Sequence, residues 1–253
     1  YNLDKIWHDK VRKHTRKIMV IDDLADKQFN CDLLLNQNLG SIKKDYKGLL
    51  SKECVLLLGC EYALLRPEFK KLRQKAVQKR KGLNKIKNIL VSVGGSDTNN
   101  ITYEILQQLD SSFNVVVVLG ARSPHNKIIE DYAVDKNIEV IVNSNNMAGL
   151  MLNADLAIGA SGSTNWERLS LGLPSLVFTV AENQVRFSKI LADLGLIRLL
   201  GHVGAKKNFD VIKESILTIT DLKEWSDRCF SSSSCNGTSR VANAIENNFV
   251  STI

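Results

Sequence analysis

The sequence predicts an α/β fold in which helices cover a parallel sheet. Of its 253 residues, 44% are hydrophobic and only 6% are aromatic, a composition typical of aliphatic strands buried beneath helices. From residue 87 onward, short apolar runs of strand length alternate with amphipathic runs of helical period. This alternation favours parallel strands joined by right-handed crossovers. We therefore expect a ligand site beyond the carboxyl ends of the strands, where such folds bind their ligands.

Residues 1–80 are predicted to form the remainder of an N-terminal α/β domain and a linker. A helix is expected over Leu3–Lys13, followed by short apolar strands at Ile18–Asp22, Asp32–Asn36 and Val55–Gly59. The segment should close at Arg66–Pro67, because the residue before a proline is driven out of helical geometry. Strands at the edge of a shortened sheet expose unpaired backbone groups, so the sequence admits a homodimer formed through these N-terminal strands.

Residues 81–253 are predicted to form a C-terminal Rossmann-like domain. Its strands are expected at Asn88–Val93, Asn114–Leu119, Ile138–Val142, Leu156–Gly159 and Ser175–Val180. Its helices are expected at Ile101–Leu109, Asn126–Ala133, Met147–Asn153, Thr164–Leu171, Gln184–Leu194, Asp210–Leu217 and Ser239–Asn247. The serine-rich stretch Phe230–Thr238 is expected to be a connecting loop ahead of the last helix.

Composition and motifs argue against several functional classes. The five cysteines contain no C-x-x-C pair and the four histidines form no H-E-x-x-H motif, so neither a disulfide scaffold nor a metal site is predicted. The sequence also lacks the G-x-x-x-x-G-K-[ST] loop of P-loop NTPases and the G-x-G-x-x-G fingerprint of dinucleotide-binding folds. No cofactor is expected.

Charge and hydropathy bear on partners and location. The net charge is +7, and the run of residues 70–87 is rich in Lys and Arg and free of acids. Because no aromatic residues interleave these charges for base stacking, a solvated helix and linker is favoured over a nucleic-acid site. No stretch is long enough to span a bilayer and no signal peptide is visible, which predicts a cytoplasmic protein that does not associate with membranes.

The first candidate loop is Gly94–Gly95–Ser96–Asp97, directly after a predicted strand. Paired glycines let the backbone turn sharply and approach a ligand, and the helix start that follows would offer free N–H groups to a phosphate. The alternative is a tight turn in which Ser96 or Asp97 caps the next helix. The residues alone leave both interpretations open.

The second candidate loop is Ser161–Gly162–Ser163–Thr164, after the strand Leu156–Gly159. Small hydroxylated residues around a glycine, at the start of a helix, suit an anion. Glu167 could accept hydrogen bonds from the two hydroxyls of a ribose. Alternatively, Thr164-x-x-Glu167 is a capping box, which the spacing alone favours.

The third candidate loop is Glu182–Asn183–Gln184, after the last predicted strand. Its polar side chains could cap the following helix or contact a sugar. These roles are not distinguished by the pattern.

Three strings resemble the C-terminal domain of GT-B nucleotide-sugar enzymes: VSVGGSD, GASGSTNWERLSLGLPSLVF and AENQ. This resemblance implies a GT-B-like fold with UDP or a UDP-sugar as ligand. It implies that the glycine turns hold the diphosphate and that Glu167 binds the ribose of UDP. Nucleotide contacts are accordingly expected at Gly94, Gly95, Ser96, Ser161, Gly162, Ser163, Thr164, Glu167 and Glu182.

Three further strings, IDDLAD, CDLLLNQN and GCEYALLR, resemble the UDP-2,4-diacetamido-2,4,6-trideoxy-β-L-altropyranose hydrolase family of pseudaminic acid biosynthesis. The resemblance covers nearly the whole chain and implies hydrolysis of a UDP-sugar at C1, with inversion and release of UDP. By the same resemblance, Asn183 and the adjacent Gln184 contact the substrate. Tyr1 matches a tyrosine that lies near the sugar in the family.

One departure from that family is large. The family's general base is a histidine in an N-terminal G-x-G-H loop, and no such string occurs in this sequence. We expect most of the N-terminal domain to be missing, assign no catalytic residue, and predict weak UDP binding with little or no hydrolysis by this chain. The alternatives are a GT-B glycosyltransferase that uses a UDP-sugar and a non-catalytic nucleotide-binding module.

Overall fold

The structure is a computed structural model that describes residues 3–203 and 209–250. The chain divides into two compact units, one formed by residues 1–66 with 234–253 and the other by residues 67–233. The division predicted between residues 80 and 81 stays a prediction, and the compact units have different bounds. Tyr1, a predicted substrate contact, lies outside the described residues.

The first unit is built on a parallel sheet with the strand order β1-β2-β3. The elements are α1 (Lys5–Val11), β1 (Met19–Ile21), β2 (Leu33–Asn36), β3 (Val55–Leu58) and α10 (Gly237–Ile245). The leucines of the central strand β2 are fully buried, and Val241 of α10 packs with Leu33 and Leu35 on one face of the sheet. The C-terminal helix therefore completes the core of the N-terminal unit.

The second unit is built on a parallel sheet with the order β6-β5-β4-β7-β8-β9. Its strands are β4 (Asn88–Ser92), β5 (Asn114–Leu119), β6 (Ile138–Val142), β7 (Leu156–Ala160), β8 (Ser175–Thr179) and β9 (Arg198–His202). Its helices are α2 (Pro67–Arg80), α3 (Ile101–Gln107), α4 (Asn126–Ala133), α5 (Met147–Asn153), α6 (Thr164–Ser170), α7 (Val185–Asp193), α8 (Val211–Leu217) and α9 (Leu222–Ser232). The predicted parallel α/β architecture is confirmed.

Two elements of this unit, β9 and α9, were not predicted, and one predicted loop is shorter than expected. Strand β9 is only half-buried at the edge of the sheet, so it lacks the apolar run that marks β4 to β8. The expected loop at Phe230–Thr238 is confirmed only at residues 233–236, because α9 ends at Ser232 and α10 begins at Gly237. In α9 the hydroxyls of Ser231 and Ser232 donate to the carbonyls of Asp227 and Cys229, so these serines satisfy their hydroxyl groups within the helix.

The basic run at residues 70–87 is not simply solvated. Helix α2 begins at Pro67, a residue well suited to the first helical position. At its other end Arg80 is almost fully buried and donates to the carbonyls of Leu171, Ala154 and Met151 at 3.2, 2.7 and 2.9 Å. Burial lowers the pKa of Arg80 to about 10. Part of this run therefore serves packing, contrary to the prediction.

Among the described residues, no helix combines the length and the apolar composition that crossing a bilayer requires.

Candidate functional site

The three predicted loops lie at one edge of the second unit's sheet. They follow β4, β7 and β8, which are consecutive in the strand order. All pairings among these strands are parallel, so their carboxyl ends meet at the same edge. Periodicity along the sequence could locate each loop, but only the strand order places the three side by side.

The first glycine loop, residues 94–97, presents backbone amides to open space. Gly94 has φ +111°, a conformation that L-residues rarely adopt, and no atom lies within 4 Å of where a Cβ would stand on Gly94 or Gly95. The amides of Gly94, Gly95 and Ser96 have no hydrogen-bond acceptor among the described residues. The chain after β5 packs closely against this loop, because a Cβ on Gly120 would stand 1.8 Å from the Gly95 carbonyl oxygen.

Asp97 acts as the cap of helix α3. Its carboxylate accepts the amide N–H groups of Ile101 and Thr102 at 2.8 and 3.0 Å, and the residue is only 8% exposed. The expectation that the start of this helix offers free N–H groups to a phosphate is therefore wrong for these two amides, since a carboxylate of the protein already occupies them. Ser96 does not share this role, and the loop amides that precede Asp97 are the ones left for a ligand.

The second glycine loop, residues 161–164, is anchored through Ser161. Its amide donates to the carbonyl of Phe178 at 2.8 Å, and its hydroxyl accepts from Asn165 Nδ2 at 3.0 Å. Ser188 donates its own hydroxyl proton to the Gln184 carbonyl, so Ser161 donates to Ser188 across a 2.6 Å contact. The Ser161 side chain is thus buried and occupied in holding the loop, and its contact with a nucleotide stays a prediction.

The remaining residues of the second loop are open. Gly162 has φ +144°, a Cβ on this residue would meet no atom within 4 Å, and Ser163 is exposed. The amides of Gly162, Ser163 and Thr164 have no acceptor within the described parts of the chain. Two adjacent loops therefore each present three unpaired amides, an arrangement that can hold the oxygens of a diphosphate.

The capping box proposed for Thr164 and Glu167 does not form. Helix α6 has Ser163 as its N-cap, without a side-chain cap hydrogen bond, and Thr164 is already helical. A capping box needs the threonine outside the helix, one residue earlier than it stands. Glu167 lies half-buried in the first turn of α6, and its contact with a ribose stays a prediction.

Arg168 is a residue of this site that the sequence analysis missed. It is 3% exposed, and its Nη2 donates to the carbonyl of Ala160, the last residue of β7, at 2.6 Å. Its Nη1 is buried and has no hydrogen-bond partner in the described structure. Burial lowers the pKa of Arg168 to about 10, which leaves it charged at neutral pH. Helix α6 is buried on nearly every side, so no amphipathic pattern pointed to this buried charge.

The third loop, residues 182–184, forms a short 3-10 turn. Gln184 closes it, because its Oε1 accepts the amide of Val180 at 2.8 Å, which leaves its Nε2 for a ligand. Asn183 is exposed and Glu182 is 90% exposed. Glu182 Oε1 lies 3.8 Å from Nε2 of His202, whose Nδ1 is 3.0 Å from the Thr179 hydroxyl. His202 could not be placed from the sequence, because β9 was not predicted.

A parallel α/β sheet with glycine loops at its carboxyl edge is the architecture of Rossmann-like domains, and solved structures extend the likeness in fold to GT-B glycosyltransferases. MurG from Acinetobacter baumannii superposes with a TM-score of 0.64 at 16% identity, over 96% of this chain and 70% of that one. HepE from Anabaena, in complex with UDP-glucose, gives 0.52 at 12% identity, over 86% and 64%. At these identities the likeness establishes the fold alone.

Residues 68–198 match the glycosyltransferase family 28 C-terminal domain, and the chain belongs to this family. An uncharacterized protein of Methanocaldococcus jannaschii is 35% identical over 191 residues, which is 72% of this chain and 39% of that protein. The spore coat polysaccharide biosynthesis protein SpsG of Bacillus subtilis is 30% identical over 76% of the chain and 57% of its own length.

A UDP-2,4-diacetamido-2,4,6-trideoxy-β-L-altropyranose hydrolase of Campylobacter jejuni is 30% identical over 181 residues, which is 71% of this chain and 63% of the hydrolase. The chain thus spans between 39% and 63% of the length of these three relatives.

Proposed function

We propose that this chain is the nucleotide-binding part of an enzyme that hydrolyses a UDP-linked sugar at C1 and releases UDP. The observation that carries the proposal is the set of unpaired amides on two glycine loops that follow neighbouring strands. The Campylobacter relative is named for hydrolysis of a UDP-linked diacetamido-trideoxy sugar, so we propose a sugar of this kind, as in pseudaminic acid biosynthesis.

In the proposed complex, the amides of Gly94, Gly95 and Ser96 and those of Gly162, Ser163 and Thr164 donate to the diphosphate. Backbone donors fixed by the fold need no reorganisation when negative charge gathers on a leaving group. Glu167 accepts hydrogen bonds from the ribose hydroxyls. Glu182, the first residue of the third loop, also contacts the nucleotide.

The sugar would lie beside the third loop. Asn183 is exposed and Gln184 keeps its Nε2 free of the turn that its Oε1 closes, so both can donate to sugar substituents. Tyr1 is proposed to contact the sugar on the resemblance alone.

The proposed reaction consumes one water molecule. Water attacks C1, the bond from C1 to the diphosphate oxygen breaks with its electron pair leaving on UDP, and the water proton passes to a base. No residue of this chain is assigned as that base. We therefore propose that the chain by itself releases little UDP from a sugar nucleotide. We also propose that it binds UDP weakly.

The second candidate is a glycosyltransferase that uses a UDP-sugar, with a sugar hydroxyl in place of water. The family match favours it, as does 27% identity over 63% of the chain to a UDP-N-acetylglucosamine transferase of Caldanaerobacter subterraneus. The two reactions separate cleanly in one assay. UDP release from the diacetamido-trideoxy sugar nucleotide in buffer alone, at however low a rate, indicates hydrolysis, whereas release only on addition of a sugar acceptor indicates transfer.

Calorimetry with UDP, UMP and uridine tests the nucleotide site. We expect affinity to fall stepwise in that order, by about tenfold for each phosphate removed, because hydrogen bonds to charged oxygens contribute about 1.5 kcal/mol or more. Equal affinity for UDP and uridine, or no heat with UDP at high protein concentration, would contradict the proposal.

Glu167→Gln tests the ribose contact. The native chain should prefer UDP over its 2′-deoxy analogue by roughly fivefold to tenfold, and the variant should lose this preference, because an amide replaces one carboxylate acceptor with a donor. Glu224→Gln on the exposed side of α9 makes the same charge change away from the loops and should leave the preference intact.

A further inference from the structure

We infer that Cys31 and Cys54 form a reactive dithiol, a covalent modification site at which a small-molecule disulfide is reduced and an intramolecular disulfide forms. Their Sγ atoms lie 3.6 Å apart. The two residues stand just before β2 and β3, which pair in parallel with Leu33 opposite Val55. A disulfide needs an S–S distance of about 2.05 Å, which side-chain rotation can reach from this starting separation.

The two thiols border a cavity. It has a volume of about 190 Å³ and is lined by both cysteines together with Arg12, Lys17 and Asp32, among others. Cys31 is 4% exposed, whereas Cys54 is half-buried and lies nearer to solvent. An external reagent can therefore reach Cys54 first, with Cys31 behind it.

The surroundings of the two thiols shift their pKa values in opposite directions. An S–H donated by Cys31 lowers the pKa of Cys54, and the same bond together with burial raises the pKa of Cys31. The thiolate is the attacking species in thiol–disulfide exchange, so Cys54 is the nucleophile and Cys31 the resolving thiol. Arg12 and Lys17 both pair with Asp32, at 2.5 and 3.4 Å, and this ion cluster forms the polar wall of the cavity.

The chemistry balances with glutathione disulfide as oxidant. The Cys54 thiolate attacks one sulfur of glutathione disulfide, and the S–S bond breaks with its electron pair leaving on one glutathione, which takes up the proton lost by Cys54. Cys31 then attacks the Cys54 sulfur of the mixed disulfide. The second glutathione leaves and takes up the proton lost by Cys31. Two thiols of the protein are oxidised and one disulfide is reduced.

Alkylation and mass spectrometry of the full folded chain test the inference. The folded chain is treated with glutathione disulfide and then unfolded in denaturant with N-ethylmaleimide, so that burial no longer protects a free thiol. We expect loss of two hydrogen atoms, protection of Cys31 and Cys54 from alkylation, and a linked peptide pair that contains both residues. Cys60, half-buried in the same unit, serves as the internal control and should remain alkylated. Labelling of both Cys31 and Cys54 after this treatment would overturn the inference.

Two variants separate the roles of the sulfurs. Cys31→Ser should stop at a stable glutathione adduct on Cys54, and Cys54→Ser should leave Cys31 unmodified. If either variant fails to fold, titration of the native chain against mixtures of reduced and oxidised glutathione still decides the matter. A single transition without an accumulating adduct supports the dithiol, and a persistent single adduct on Cys54 refutes it.

Formation of the disulfide should also change the thermal stability of the chain. A bond between residues 31 and 54 restricts the unfolded chain over the segment that contains β2, so the melting temperature of the first unit should rise on oxidation. Cys60→Ser should show the same rise, because it leaves the pair intact. An unchanged melting temperature in oxidised chain that carries the linked peptides would count against a link formed in the native geometry.

Discussion

The two glycine loops offer a ligand the same backbone groups but rest on opposite charges. Beneath the first loop, the buried carboxylate of Asp97 occupies two amides of α3. Beneath the second loop, the buried guanidinium of Arg168 holds the carbonyl of Ala160 and keeps one nitrogen unpaired among the described residues. The first loop thus carries a buried anion, whereas the second carries a buried cation, with the half-buried carboxylate of Glu167 next to it in the chain. We expect the charge of a bound diphosphate to be held mainly at the second loop, and three substitutions test this difference.

The largest effect is expected from Gly162→Ala. At φ +144° an L-residue is strained by about 1–3 kcal/mol, so the loop should shift and carry its unpaired amides out of position. We expect UDP affinity, measured by calorimetry, to fall by roughly tenfold to a hundredfold.

Gly48→Ala is the matched control for that substitution. Gly48 also has a positive φ, +80°, with open space around it, but it lies in the first unit. Gly48→Ala should lower the melting temperature of the chain by about as much as Gly162→Ala does, but it should leave UDP affinity unchanged. Equal losses of affinity in the two variants would mean that the second loop has no direct part in binding.

Arg168→Met should have the next largest effect. Removing the cation beneath the second loop is expected to weaken UDP binding by about tenfold, or about 1.4 kcal/mol, while uridine binding stays unchanged. The free energy of unfolding should fall by less than in Arg80→Met, because only the Ala160 carbonyl loses its arginine donor and a buried, unpaired nitrogen is removed at the same time. Arg168→Lys should recover part of the UDP affinity, which a purely steric role would not allow.

Arg80→Met provides the contrast. Burial lowers the pKa of Arg80 and of Arg168 alike to about 10, but Arg80 satisfies three carbonyls, so its loss leaves those acceptors unpaired. We expect Arg80→Met to lower the free energy of unfolding by about 2 kcal/mol or more and to leave UDP affinity unchanged. If Arg168→Met instead weakened UDP and uridine equally, Arg168 would be a structural residue like Arg80.

Arg80 and Arg168 also show which features of the structure could not be predicted from the sequence. The strands β4 to β8 were predictable because each is a short apolar run bounded by polar turns, and the glycine loops were predictable because they follow such runs. Burial of a charged side chain depends on which carbonyls lie nearby in the fold, and the carbonyls that Arg80 contacts are more than 70 residues away along the chain. No local pattern contains that information.

The residues that cap α3 and α6 could not be predicted for the same reason. Both Asp97 and Thr164 were candidate caps by spacing, yet the carboxylate of Asp97 caps α3 from four and five residues upstream, and Thr164 lies inside α6. Which of the two patterns forms a cap depends on the exact residue at which the backbone turns helical. That residue is set by how the preceding strand ends, at positions where Gly94 and Gly162 adopt conformations that the sequence permits but does not specify.

The smallest effect is expected from Asp97→Asn, which removes the anion beneath the first loop and keeps the shape of the side chain. The weaker acceptor should cost about 0.5–1 kcal/mol in the free energy of unfolding, because α3 loses part of its cap. UDP affinity should rise about twofold to threefold at low salt, and the gain should shrink as added salt screens the charge. Asp110→Asn, which weakens a similar bond to the Ser112 amide between α3 and β5, should not raise the affinity. Asp97→Asn could instead lower UDP affinity as much as Arg168→Met does. That result would mean that the first loop depends on its carboxylate for shape. Its unpaired amides would then contribute as much to diphosphate binding as those of the second loop.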